Sequence, residues 1–365
     1  MHGAIQDTER TATMQAIVQE RYGGPETVQL REMAKPTAGD GQVLVRVHAS
    51  SVNRGDWHLM RGKPFVIRLA GYGVLRPKHA ILGQDMAGTV AAVGKNVSEF
   101  QPGDAVFGEV HGAYAEYAAV PAELITLKPA NLTLAEAGAA PVAGLTALQG
   151  LRDAGRIQPG QQVLINGAAG GVGSFAVQIA KAFGAHVTGV CSTRNIEMVR
   201  AIGAERAIDY TKEDFTRGSH RYDLIFDLVG NKTLAGFKSI LTPTGIYVPA
   251  SDSLRRLAAA GITSMLGDRQ MALFLVKPNR ADLEVLRDLI EAGQVMPVIG
   301  DQYSLSEVPE AFRRMGDRHT RGKSVILVSA AAAGALSSAS ETSDLPSGIA
   351  QANRPALALA GARAA

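Results

Sequence analysis

Cysteine is almost missing from this chain. The single one, Cys191, cannot form an intramolecular disulfide and cannot build a multi-cysteine zinc site. A fold made without disulfides suits a reducing compartment, so a cytoplasmic location is expected. Charge of one sign is also scarce: 37 Lys and Arg against 34 Asp and Glu leave a net +3. With no dense Lys/Arg run, that balance gives no footing for a nucleic-acid partner. No apolar run reaches the roughly 18 residues of a membrane span, so no membrane partner is expected. The first ten residues lack an apolar core and carry Asp7 and Glu9. They therefore read as neither a signal nor a transit peptide. What the chain does have is length and apolar content. Its 365 residues, 46% of them hydrophobic, imply two well-formed cores.

The most telling stretch runs from Val163 to Gly173, Val-Leu-Ile-Asn-Gly-Ala-Ala-Gly-Gly-Val-Gly. A short apolar strand ends in a glycine-rich turn, and a helical pattern follows over 174–183. Backbone N–H groups at a helix start, together with the helix dipole, make an anion site. Ala168, Gly170 and Gly173 fit a relaxed dinucleotide fingerprint, A-x-G-x-x-G. A second strand at 186–191 closes a βαβ unit of about 30 residues, as that motif requires. The plain alternative is an ordinary glycine-rich βα turn.

The residues after the second strand bear on which nicotinamide cofactor binds. NAD sites place an acid about 20 residues past the glycines, on the ribose 2′-hydroxyl. Here the chain reads Gly-Val-Cys-Ser-Thr-Arg-Asn over 189–195, with no carboxylate. Ser192 and Thr193 can donate hydrogen bonds, and the planar fork of Arg194 can pair with a phosphate. The expectation is NADPH rather than NADH. Arg194 also reads as a solvated arginine at a helix start.

Periodicity divides the chain. Strands are predicted at 14–19, 28–32, 42–50, 88–93, 105–108 and 113–120, a β-rich part with barrel-like or folded antiparallel character. Residues 64–82 form a long irregular segment with Pro64, Gly71, Gly73 and Pro77, of the kind that makes a substrate lid. Residues 133–150 read as a helical region broken at Pro141 and Gly144. Strands at 162–166, 186–191, 207–209, 223–227 and 245–249 alternate with helices, which is the pattern of a doubly wound parallel sheet. Residues 254–275 are apolar and mixed. An amphipathic helix over 281–293, a strand at 295–298, a helix over 305–315 and a strand at 323–328 follow. The Ala/Ser/Gly-rich stretch beyond is expected to be a disordered tail.

Several ordered motifs together resemble the medium-chain dehydrogenase/reductase superfamily, in its zinc-independent quinone oxidoreductase (zeta-crystallin-like) branch. They are Ala-Ser-Ser-Val-Asn-Arg-Gly-Asp (49–56), Leu-Gly-Gln-Asp-Met-Ala-Gly (82–88), Phe-Gln-Pro-Gly-Asp-Ala-Val-Phe-Gly (100–108) and Gly-Ala-Tyr-Ala-Glu-Tyr (112–117). Ala-Gly-Leu-Thr-Ala (143–147), the glycine fingerprint and Phe-Asp-Leu-Val-Gly (226–230) complete the set. The resemblance covers residues 14–329. It implies an α/β protein: a GroES-like β-rich catalytic domain made from both chain ends, with a doubly wound parallel-sheet (Rossmann) dinucleotide-binding domain inserted. The expected division is an extension at 1–13, the catalytic domain at 14–139 and 283–329, the NADPH-binding domain at 140–282 and the tail at 330–365. A homodimer is implied, with the apolar edge near 245–248 as its seam. Zinc-dependent relatives carry metal ligands where this chain has Asn53, Gln84 and, nearby, Val142; two amides and an apolar side chain make no zinc site, so no metal is expected.

Without zinc, the expected reaction is hydride transfer from NADPH to an already electrophilic quinone or α,β-unsaturated carbonyl. The product oxyanion then needs a hydrogen-bond donor. Asn53 is the first candidate for that donor and for the nicotinamide contact; it also reads as a buried structural amide. His58 is a candidate proton donor or a surface histidine. Gln84 is a candidate pocket cap. Trp57 and Tyr72 could stack on a flat acceptor or simply pack. Asp56 reads as structural. For the cofactor, the resemblance adds Thr146 to Ala168, Ala169, Gly170, Gly171, Val172 and Gly173. Ser192, Thr193, Arg194 and Tyr210 fall at the adenosine end, with core packing as the alternative for Tyr210. Leu228 and Val229 stand at the strand carboxyl edge. Lys323 reads as a basic position closing over the cofactor, or as a solvated lysine. Two other readings of the whole remain: a zinc-free NADP-dependent alcohol or aldehyde dehydrogenase, and a non-catalytic NADPH-binding protein.

Overall fold

Strand Gln162–Asn166 (β8) is buried through Val163, Leu164 and Ile165, so it must be covered on both faces. A computed structural model, which describes residues 12–250, 271–316 and 320–328, shows how. β8 lies at the centre of a five-stranded parallel sheet. Its partners are His186–Cys191 (β9), Arg206–Asp209 (β10), Tyr222–Asp227 (β11) and Leu241–Pro249 (β12), in the order β10-β9-β8-β11-β12. The winding reverses between β8 and β11, and such a switch point opens a crevice at the strand carboxyl ends. The expected extension and tail lie almost wholly outside the described residues, as does most of 254–275.

The first part of the chain supplies Thr13–Gln19 (β1) and Val28–Ala34 (β2), which pair as a hairpin. It also supplies Gln42–Val52 (β3), Asp85–Val93 (β4), Ala105–Glu109 (β5), Tyr117–Pro121 (β6) and Ile125–Leu127 (β7). The end of the chain returns with Ile299–Ser304 (β13) and Lys323–Leu327 (β14). Together these make a seven-stranded sheet in the order β13-β14-β3-β4-β5-β7, with β6 also on β3. β14 pairs antiparallel with β3, Ser324 opposite Val52, which sets Lys323 beside the residue after β3.

Helices connect and cover the sheets. They are Arg54–Arg61 (α1), Leu134–Ala137 (α2), Pro141–Gln149 (α3), Gly171–Ala182 (α4), Ile196–Ala201 (α5), Leu234–Lys238 (α6), Arg280–Glu291 (α7) and Val308–Gly316 (α8). The alternating apolar residues of α7 do what their spacing predicts: Leu283, Leu286, Leu289 and Ile290 are all buried.

The helical region is interrupted ahead of Pro141, as expected: α2 ends at Ala137, and Pro141 begins α3, where its missing N–H is no loss. Three expectations differ from the structure. Gly144 sits inside α3, since a Cβ there would meet the Leu286 side chain at 2.4 Å; close helix approach overrides its poor propensity. The 113–120 strand is shorter, because Tyr114 bonds to Ile17 and Leu82 instead of to β3. Residues 295–298 are no strand. The Gln178 side chain bonds both the N–H and the carbonyl of Met296, at 2.9 Å each, and so satisfies them without a ladder.

Candidate active site

The chain turns sharply after β8. Gly167 has φ +92°, a left-handed conformation natural only to glycine. Gly173 lets α4 approach this turn: a Cβ there would lie 2.0 Å from the Gly167 carbonyl oxygen. Gly170 is different. Its φ of −81° suits any residue, and an added Cβ would meet only the Gly167 oxygen at 3.5 Å. The room over Gly170 is therefore not needed by the fold. It leaves the backbone bare where the first-turn N–H groups of α4 point outward.

These residues line a cleft of about 790 Å³. Ala169, Gly170, Gly171, Val172 and Gly173 border it, with Ser192, Thr193 and Arg194 after β9. Tyr210, Leu228 and Val229 follow from the neighbouring strand ends, and Asn53 and Lys323 from the other sheet. Tyr210 is 49% exposed, so it is a cleft residue and not core packing. The loop after β11 is shaped by Asp227, wholly buried, whose Oδ1 accepts from the N–H groups of Val229 and Gly230 and from Asn166 Nδ2. Dinucleotide chemistry fits this donor set: bare N–H groups at a helix start for a pyrophosphate, and a guanidinium with hydroxyls further along.

Six expected site residues lie elsewhere. Ala168 is fully buried, and its N–H bonds the Val190 carbonyl; it shapes the turn from beneath. The Thr146 hydroxyl donates to the Val142 carbonyl at 2.6 Å inside α3, and Thr146 does not line the cleft. His58 holds the Lys63 carbonyl with Nδ1 at 2.8 Å and also stands off the cleft. Trp57 packs on Phe312, ring centres 6.3 Å apart. Gln84 and Tyr72 meet, but in a separate small cavity with His79 and His111, where Tyr72 stands edge-on to His111 at 5.7 Å.

The inner wall of the cleft holds a cluster that sequence reasoning did not assemble. Lys323, 2% exposed, donates from Nζ to Asn53 Oδ1 at 2.5 Å and pairs with Asp85 Oδ2 at 3.0 Å. A lysine that pairs with a fully buried carboxylate is not the solvated lysine of the alternative reading. Asn53 Nδ2 donates to Asp85 Oδ2 at 2.8 Å and to the Ser51 carbonyl at 3.3 Å. The ammonium cannot accept, which fixes the amide oxygen toward it. Both amide hydrogens are thus engaged, and the spare donor at this point belongs to Lys323, whose ammonium has three hydrogens for its two bonds. Asp85 also takes the Val142 N–H at 2.7 Å and the Ser51 hydroxyl.

Two more acids lie behind. Asp56, in the first turn of α1, accepts from the Asn53 N–H at 2.9 Å and the Tyr114 hydroxyl at 3.1 Å. Burial, with Asp85 adding to it, pushes its carboxyl up to about 7. Glu109, opposite Asp85 in the β4–β5 pairing, is pushed up to about 8 by burial and then by Asp85 and Asp56. Lys323 draws both back down. The signal available in sequence was an acid at the head of an otherwise apolar strand, Asp85 before Met-Ala-Gly, and a lysine in the same position before Ser-Val-Ile-Leu. The cluster presents an ammonium, one amide and a carboxylate already paired with that ammonium. Among the described residues, no three His, Cys, Asp or Glu side chains converge on a common point.

Comparison with known proteins gives concordant matches. Residues 39–130 match the alcohol dehydrogenase GroES-like domain, and residues 202–326 match the zinc-binding dehydrogenase domain. The chain is 31% identical to a chloroplastic quinone-oxidoreductase of Triphysaria versicolor, over 86% of this chain and 98% of that protein. It is 33% identical to an NADPH-dependent alkenal/one oxidoreductase of Arabidopsis thaliana, over 86% and 79%. The solved quinone oxidoreductase from Coxiella burnetii superposes with a TM-score of 0.79 at 31% identity, covering 87% of this chain and all of that one.

Proposed function

Because the chain belongs to the medium-chain dehydrogenase/reductase superfamily, in its quinone oxidoreductase branch, we propose that it reduces a quinone or an α,β-unsaturated carbonyl with NADPH and without zinc. When bound, the dihydronicotinamide supplies a hydride. The chain's own groups do the rest. The N–H groups of 171–173 hold the pyrophosphate, and Arg194 with Ser192 takes the 2′-phosphate. The Thr193 hydroxyl is committed to Asp209 at 2.5 Å, so it orders this loop. The observation that carries the reading is the Lys323 ammonium, fixed by Asn53 and Asp85 at the wall of the cleft. Hydride addition to a quinone or enone leaves an oxyanion, and a preorganised cation with a free hydrogen stabilises it with no reorganisation. Asn53 acts on that ammonium as its positioning partner instead of donating itself. A homodimer paired through the edge of β12 is part of the same proposal.

The test is the rate of NADPH absorbance loss with quinones, enones and saturated aldehydes, with NADH in parallel. NADPH-selective turnover on quinones or enones, with aldehydes inert, is expected. Reversible alcohol oxidation with NADP⁺ would replace the reading with a zinc-free alcohol dehydrogenase, and bound NADPH without turnover would replace it with a non-catalytic role.

A further inference from the structure

Between Asp56 and Asp85 the sequence has no acidic residue and five basic ones: Arg61, Lys63, Arg68, Arg76 and Lys78. None of the five forms a salt bridge with a described carboxylate. The same segment exposes aliphatic and aromatic side chains that a water-facing loop has no use for. Leu75 is 88% exposed, Leu69 64%, Phe65 56%, Val66 52% and Val74 49%. Five of the twelve large exposed hydrophobics among the described residues gather on residues 65–75, while scattered single ones would be unremarked. Their arrangement is a short helical stretch through Arg68–Tyr72, bent at Gly71 (φ +100°) and Gly73 (φ +100°). The inner side is anchored. The Tyr22 hydroxyl donates to the carbonyls of Tyr72 and Gly73, at 2.8 and 2.6 Å, and the Arg68 Nε donates to the Gly62 carbonyl at 2.9 Å. The apolar side chains therefore face outward from a held backbone.

We propose that residues 61–78 form a peripheral docking surface for an anionic phospholipid bilayer. The charge complementarity is one-sided: bases without acids, interleaved with aliphatic side chains deep enough to enter the headgroup–acyl boundary. A protein partner would need a fixed polar counterpart, and the segment offers no strand edge for pairing. The sequence gives no membrane span, and no described helix is long and apolar enough to cross a membrane; a peripheral surface needs neither. The segment also borders the small cavity through Tyr72 and Pro77, next to Gln84 and hence one residue from Asp85. Docking does not depend on which acceptor the enzyme reduces.

Sedimentation of the full chain with phosphatidylcholine vesicles, with and without phosphatidylglycerol, tests this. Binding to the anionic vesicles alone is expected, weakening as salt rises. Lys63→Gln with Lys78→Gln should lower partitioning about fivefold for each charge removed. Leu69→Ser with Leu75→Ser should also release the protein, and both pairs should keep the wild-type Tm and NADPH affinity. Equal binding to neutral vesicles, no binding, or unchanged binding by the leucine variant would overturn the proposal. So would a drop in solution mass of the leucine variant, which would show that a second copy covers the patch.

Discussion

Replacing Lys323 by methionine is the sharpest perturbation of the buried cluster. The side chain is nearly as long and fills the same space, so the change is one of charge. It leaves the Asp85 carboxylate with the Ser51 hydroxyl, the Asn53 amide and the Val142 N–H, but with no cation. Removing one partner of a buried pair costs about 3–5 kcal/mol, and the retained donors place this case near 3. For a protein of 365 residues that is a fall in Tm of about 4 °C. Asp56 and Glu109, which Lys323 draws down, should rise further. Calorimetry at neutral pH reads the loss. Adding Asp85→Asn removes the stranded charge, so the double variant should regain most of it, and the double-mutant cycle measures the coupling. A fall of less than about 2 °C, or no recovery in the double variant, would refute the reasoning.

Glu109→Gln should flatten the pH dependence of stability. An unfolded glutamate titrates near 4 and the folded one near 8, so the native state binds the extra proton between those values and wild-type stability falls as pH rises through that window. The difference in Tm between wild type and variant, measured from pH 4 to pH 9, isolates this group from His48 and His111, whose lowered values act in the opposite direction. Arg194→Ala should raise the NADPH dissociation constant about tenfold and leave that of NADH nearly unchanged, as titration by protein fluorescence would show. Gly170→Ala should leave Tm within about 1 °C, because its Cβ has room and its φ is ordinary, yet weaken both dinucleotides; a large fall in Tm would mean the glycine serves the fold.

The parts of the molecule legible in sequence are those whose logic is local. The glycine turn, β8 and β9 were readable because a strand, a turn and a helix follow one another within a few residues. Arg194 and Ser192 lie on the cleft for the same reason: they come directly after β9. Lys323 was not readable in this sense. Its partners Asn53 and Asp85 are 270 and 238 positions away, and only the return of β14 beside β3 unites them. Gln84 and Tyr72 show the opposite failure. They do meet, but Gln84 precedes β4 by one residue, and neighbouring residues at a strand head face different sides. Asp85 turns to the cluster and Gln84 to the other cavity. The place of Gly144 inside α3 is likewise illegible locally, because it is set by the close packing of Leu286 from α7.

The position of β14 bears on how the protein is made. Asp85 and Asp56 are translated long before the lysine that compensates them, and the Ala49–Val52 end of β3, beyond its pairing with β6, has a vacant edge until β14 fills it. A ribosome-bound chain that ends before residue 323 carries buried acids without a counter-charge and an open sheet. The insertion of the parallel-sheet domain between the two halves thus delays closure of the first half until synthesis is nearly complete. A fragment ending near residue 130 should accordingly be a poor autonomous unit, prone to chaperone capture in a way the parallel-sheet domain, contiguous in sequence, is not.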